Sequence, residues 1–209
     1  THECSSAASD VYKRQFQGFV HQGIHHILIG YDHILFLLTL LFPAVLVWQR
    51  GGWQPAPTMR GALTQTLAIV TAFTVTHSLT LALATLGIIT LPTWLVESAI
   101  ALTVALGAAA NLLPGLFPKR WIMAFVFGLV HGLGFASVLA DLGLMGDGIV
   151  LPLLGFNIGV ELGQIAIVLL FVPLAYLARD TALYKRVFVP VGSVAIMVLA
   201  GVWLVERLS

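Results

Sequence analysis

Long apolar stretches, each broken by a short polar or turn-rich gap, run the length of the chain. A spanning helix needs about 20 mostly apolar residues. Six stretches meet that requirement, at 19–48, 62–86, 91–113, 121–142, 149–178 and 187–205. The gaps hold Gly51-Gly52 with Pro55 and Pro57, then Gly87, Pro92, Pro114-Gly115 with Pro118, and Gly146 to Gly148. Such clusters punctuate helices. Thr90, ahead of Leu91-Pro92, predicts an N-cap with proline in the first helical turn. Residues 1–15 differ: they are polar, lack a helical period and end abruptly at the apolar run. They read as a non-native or linker tail without the apolar centre of a signal peptide. The expectation is an all-α, polytopic membrane helix bundle of about six transmembrane helices over residues 16–209. No internal repeat and no low-complexity tract stands out.

Lys and Arg in short loops set orientation. The first loop holds Arg50 and Arg60, the third Lys119 and Arg120, and the fifth Arg179, Lys185 and Arg186; the second and fourth hold none. Odd loops are therefore expected in the cytoplasm and both termini outside it. Arg207 dissents, as do Lys13 and Arg14 in the tail.

Composition agrees. Of the 209 residues 59% are hydrophobic and 9% charged, where a soluble domain carries about 25% charged residues. Lipid must be the solvent for much of the surface. A net charge of +1 offers no basic field for nucleic acid. The single cysteine, Cys4, excludes a disulfide within the chain and a thiolate metal cluster.

Against this background the ionisable residues inside the spans stand out, because each costs several kcal/mol to hold there and such residues usually mark function. The first span carries His25, His26, Asp32 and His33, with His21 at its outer end. The second carries His77, the third Glu97, the fourth His131, and the fifth Asn157, Glu161 and Gln164. With both termini outside, all of these lie at similar depth, in the outer half or near the middle. His26 and His33, seven apart, share a helix face, and His25 and Asp32 do the same on a neighbouring one. Asn157, Glu161 and Gln164 form one stripe. Gly155, Gly159 and Gly163 form a GxxxG ladder roughly opposite, suited to close backbone approach. Gly128, Gly132 and Ala136 repeat that idea around His131.

Imidazole and carboxylate without thiolate suit Zn, Ni, Co, Fe or Mn. A ligating histidine also needs an acceptor on its other nitrogen, which Asp32, Asn157 or Gln164 could supply. Each residue has a plainer reading too. His21 and His25 could be solvated at the interface, Asp32 and His33 could form a structural pair, and His77 could bond a carbonyl of a neighbouring helix. Glu97 could be solvated, Asn157 and Gln164 could join helices, and the threonines of the second span could bond back to their own helix. Ser78 and His77, about 100° apart on a helix, are no dyad.

The stretch Gly23-Ile-His-His26-Ile-Leu-Ile-Gly30-Tyr-Asp32-His33-Ile-Leu-Phe36 resembles the opening motif of the HupE/UreJ family, particularly its second branch. The resemblance continues through His77-Ser78-Leu-Thr80, Val96-Glu97, Phe127-Gly-Leu-Val-His131-Gly-Leu-Gly134 and Gly155-Phe-Asn157-Ile-Gly-Val-Glu161-Leu-Gly-Gln164. Ile27 stands where the better-known permease branch has proline. The resemblance implies a multi-pass protein of the bacterial inner membrane serving nickel or cobalt supply. The metal-binding positions it implies are His26, Asp32 and His33, then His77, His131 and Glu161, with His25, Glu97, Asn157 and Gln164 as orienting or relay groups. It also implies partners: an upstream soluble domain, or proteins that mature metalloenzymes. The leading expectation is a divalent-cation permease carrying Ni or Co inward without nucleotide hydrolysis. Two rivals stand beside it: an intramembrane zinc-dependent hydrolase acting on a lipid-like substrate, and a membrane anchor or metal sensor that transports nothing.

Overall fold

A computed structural model describes residues 2–49, 51–115, 119–135 and 149–209, with side chains from Lys13 onward. The chain is a helix bundle with one small hairpin. Helix α1 (His2–Ile29) is followed by α2 (Tyr31–Leu41), strands β1 (Leu46–Gln49) and β2 (Gly52–Pro55), α3 (Met59–Thr85), α4 (Thr93–Leu112), α5 (Arg120–His131) and α6 (Val150–Ala178). A π-helical turn, Tyr184–Phe188, then runs into α7 (Val189–Leu208). Among the described residues four helical stretches are long and apolar enough to cross a membrane: α3, α4, α6 and Tyr184–Leu208. The pair α1 and α2 passes the same test as one span bent by 69°. Helix α5 is apolar but shorter.

Several expectations need correction. The tail is not free of helix: α1 begins at His2. The first span is not a straight rod to Trp48. Gly30 adopts an extended conformation between α1 and α2, and a Cβ there would crowd the His26 carbonyl at 2.6 Å and His33 Nδ1 at 3.2 Å. Helix α2 stops at Leu41, before Pro43, because proline offers no N–H to continue the ladder. The chain is then not purely helical. Residues 46–55 form an antiparallel hairpin pairing Trp48 with Trp53, closed through Gly51 at a φ of 77° over the two-residue loop that such turns favour. Thr90 caps nothing; α4 starts after Pro92, without a side-chain cap. The cap that forms is Thr58, whose hydroxyl accepts from the Gly61 N–H at the start of α3. The α-helix expected over 121–142 ends at His131. Ala136 and the Gly146–Gly148 turn lie outside the described residues, as do Arg50 and Pro118.

Helix α4 packs along α7, and two further seams are lined by glycine. Helices α1 and α6 meet along Gly23, Gly155, Gly159 and Gly163: a Cβ on Gly23 would strike the Phe156 carbonyl, and one on Gly159 the Val20 carbonyl. Helices α3 and α5 meet at Gly128 and Gly132, where a Cβ would strike Thr76 and Thr80 respectively. Small residues let backbones approach this closely where lipid supplies no hydrophobic drive. The main apolar core, including Phe36, Leu41, Phe73, Val104, Phe127 and Val172, lies between the cluster described next and the hairpin end.

The charged groups sort by end. Arg179 donates to the Ala56 carbonyl, Tyr176 to that of Pro57 and Tyr184 to that of Phe42. Arg120 donates to Asn111 Oδ1 and lies 5.5 Å from the Trp53 ring. The hairpin end is thus the basic end, with tryptophans at the level where aromatic belts form.

Candidate metal centre

The bend at Gly30 creates the site. Along a straight helix seven residues rise about 10 Å, too far for the rings of His26 and His33 to meet. Here their centroids are 4.5 Å apart, edge to face. The shared helix face read from their spacing is therefore not what joins them; the break is. Helix α3 brings His77 to 5.8 Å from His33 and 6.5 Å from His26. Helix α5 ends on His131, whose ring lies 5.2 Å from that of His33. Gly132 lets this end of α5 close onto the His77 backbone.

Four histidines from four helices thus share one pocket. Ligand nitrogens of His26, His33 and His77 all lie within 4.8 Å of one another. His77 and His131 are fully buried and His33 is 9% exposed. Phe36, Phe73, Phe135 and Phe156 surround the rings at centroid distances of 4.3 to 6.4 Å. Within this apolar shell, and among the described residues, His26 Nε2, His33 Nε2 and both nitrogens of His77 have no hydrogen bond of good geometry. Each such group costs about 1–3 kcal/mol, so the protein maintains an arrangement that packing alone would discard. A metal ion would take one nitrogen of each ring, leaving the other His77 nitrogen as an N–H for an acceptor such as the neighbouring Asn157. Tetrahedral ligation at about 2.05 Å places nitrogens about 3.3 Å apart, so the longest separation would close by up to about 1.5 Å on binding.

His131 is set differently. Thr103 donates its only hydroxyl proton to the Ile100 carbonyl at 2.7 Å. Its oxygen also lies 2.9 Å from His131 Nε2. With the hydroxyl proton used, the ring N–H must be the donor in that contact. The lone pair is then on Nδ1, which is buried and unpartnered. Thr103 thus orients the His131 ring beside the three-histidine group. Asn157 lies beside His77; its Nδ2 donates to the Leu153 carbonyl, leaving Oδ1 buried without a partner.

The carboxylates lie elsewhere. Asp32 takes a hydrogen bond at 3.1 Å from Arg207, near the end of α7. Arg207 also donates to the Glu97 carbonyl at 3.0 Å and lies 3.8 Å from its carboxylate. Glu161 accepts from Thr71 at 2.6 Å and Gln164 from Thr74 at 2.7 Å, across the α3–α6 seam. His25 is exposed, stacked on His21 at 6.4 Å. Among the described residues no carboxylate joins the three-histidine group. The expected set thus divides into a histidine cage with Asn157 beside it, an ion-paired cluster of Asp32, Glu97 and Arg207, and a polar pair of Glu161 and Gln164. Most threonines of α3 do bond back to their own helix, but Thr71 turns to Glu161 and Thr74 does both.

Sequence reasoning passed over Arg207 and Thr103. Arg207 was legible as a cation that, like Lys13 and Arg14, dissents from the loop-charge pattern, at the end that also holds Asp32 and Glu97. Thr103, one more hydroxyl in an apolar helix, gave no signal.

A family model described as HupE / UreJ protein matches residues 3–207. None of the curated proteins and none of the solved structures compared with the chain matches it.

Proposed function

Because the chain belongs to the HupE/UreJ family, we propose that it takes a divalent transition metal ion, nickel or cobalt, into the His26–His33–His77 cage and passes it inward across the bacterial inner membrane. The observation that carries this reading is the largely buried cluster in which one ring nitrogen each of His26, His33 and His77 lies within 4.8 Å of the others. Neutral imidazole without thiolate suits these ions, and the His131 ring lies beside the three. In this reading the bent α1–α2 pair is one span and α5 begins another, which completes six and puts both termini outside. The cage then lies toward the outer face, beside the Asp32–Glu97–Arg207 cluster, whose two carboxylates against one guanidinium leave a net negative charge for an arriving cation. Broken spans place ion sites in this way in other transporters.

One observation favours a second reading. Beyond the cage toward the basic end, Phe36, Phe73, Phe127 and Val104 pack into a dry core, which offers an ion no polar steps. A resident zinc ion on three histidines with one open position would instead suit hydrolysis of a lipid-like substrate.

The test pairs elemental mass spectrometry of the purified protein with ion uptake into proteoliposomes, for wild type and His33→Ala. Near-stoichiometric nickel or cobalt with uptake, both lost in the variant, is the expected result. Bound zinc without uptake would move the assignment to the second reading. No bound metal after soaking with each ion would overturn both.

A further inference from the structure

Helix α1 carries a pair of histidines outside the cage. His21 and His25 are four residues apart, a spacing that stands two side chains one above the other on a helix face. Both are exposed. Their rings stack, with centroids 6.4 Å apart and planes within 23° of parallel. Among the described residues neither ring has a hydrogen-bond or ion-pair partner. Two free imidazoles thus face each other in the open.

The rest of α1 places the pair at a water boundary. Its exposed side chains are polar at Lys13, Gln15, Gln17, His21, Gln22 and His25, and apolar at Leu28 and Ile29. The pair therefore occupies the last polar turn before a surface suited to lipid. Water reaches these rings, whereas His33 and His77 in the cage are buried. The next residue along α1, His26, is itself a member of the cage.

Two histidines at this spacing on one helix face can share a metal ion. Two imidazoles on one tetrahedral ion have centroids about 5 Å apart, so the 6.4 Å seen here would close by about 1 Å. Exposed side chains make such a change by small rotations about their side-chain bonds. The gain comes from chelation. Once one ring holds the ion, the second is already beside it, which raises affinity about 100-fold or more over a single imidazole. Water fills the remaining positions of an ion held this way. An ion with two protein ligands is held less firmly than one with three, so ligand number increases from the surface pair to the cage.

We propose that His21 and His25 form a second metal site, a surface chelate that takes a divalent transition ion from water and supplies it to the cage through His26. The supply role rests on the transport reading above; the chelate itself does not.

Copper(II) iminodiacetate tests the chelate on the tag-free full chain in detergent. Copper binds such sites more tightly than its neighbours in the series, and the bulky chelator keeps it out of the enclosed cage. Electron paramagnetic resonance is expected to show two coordinated imidazole nitrogens in wild type and in His33→Ala. In His21→Ala the affinity is expected to fall about 100-fold or more, with an unchanged melting temperature. A one-nitrogen spectrum in wild type would overturn the site. So would equal affinity in His21→Ala, or loss of the signal in His33→Ala. Nickel uptake into proteoliposomes tests supply. His21→Ala is expected to take up nickel several-fold more slowly than wild type when the ion is limiting and equally fast when it is saturating. Equal uptake at limiting nickel would overturn the supply role. A two-nitrogen spectrum with no uptake even in wild type would refute the transport reading and support the chelate.

Discussion

Replacing His77 with phenylalanine should make the metal-free protein more stable while destroying its metal site. His77 is wholly buried, both its nitrogens lack well-formed hydrogen bonds among the described residues, and its ring stacks 5.8 Å from that of Phe73. Phenylalanine keeps the ring and removes two unpaired polar groups, each costing about 1–3 kcal/mol. Its larger ring takes back about 1–3 kcal/mol through overpacking. The net expectation is a gain of about 1–2 kcal/mol, or a rise of a few degrees in Tm for a chain of this size. Metal reverses the order. At an ion concentration of 100 times Kd, wild type gains about 2.7 kcal/mol and the variant gains nothing. The assay is thermal unfolding in detergent for both proteins, with chelator and with titrated nickel, cobalt or zinc. Two curves that cross as metal is added would support the cage as a strained, ligand-awaiting site. A variant that melts well below wild type in chelator would show that the His77 nitrogens are satisfied. A variant that still shifts with metal would show that His77 is no ligand. Either result refutes the reasoning.

Other perturbations separate the three polar groups. Thr103→Val frees the His131 tautomer and should weaken metal binding about 10- to 100-fold, the usual effect of losing a group that orients a ligand; calorimetric titration measures it. Arg207→Gln and Asp32→Asn should each destabilise the protein, and a double-mutant cycle should give a coupling of about 1–2 kcal/mol, between the values for exposed and buried pairs. Gly159→Ala places a Cβ against the Val20 carbonyl. It should cost at least about 2 kcal/mol, read as a lower melting temperature, whereas Gly18→Ala, with nothing within 4 Å, should not.

Much of this was legible from the chain alone. Apolar run length gave the spans of α3, α4, α6 and α7 to within a few residues, because lipid tolerates few other solutions. The glycine ladder of α6 was legible as a packing face, and it packs against α1. The structure brings His26, His33, His77 and His131 of the expected set together and leaves Asp32 and Glu161 apart from them. What the sequence hid was direction. A helix period cannot show that Gly30 breaks it, and the break decides that His26 meets His33 while Asp32 turns to Arg207. The hairpin was hidden because Leu46, Val47 and Trp48 extend an apolar run whose length satisfies a span. The π-helical turn was hidden because Lys185 and Arg186 looked like any basic loop.

The α1–α6 seam has a consequence for how the protein is made. The three cage histidines all lie within the first 77 residues of the chain, whereas Gly155, Gly159 and Gly163, against which α1 packs, follow about 80 residues later. During synthesis the ligands are therefore in the membrane for several seconds, at ordinary elongation rates of 5–20 residues per second, before the wall that fixes His26 exists. Over that interval the histidines are a loose set on unpaired helices, able to meet an ion in any geometry. Insertion of α6 imposes the final spacing, so on the proposed reading the cage acquires its geometry only after all three of its histidines are in the membrane.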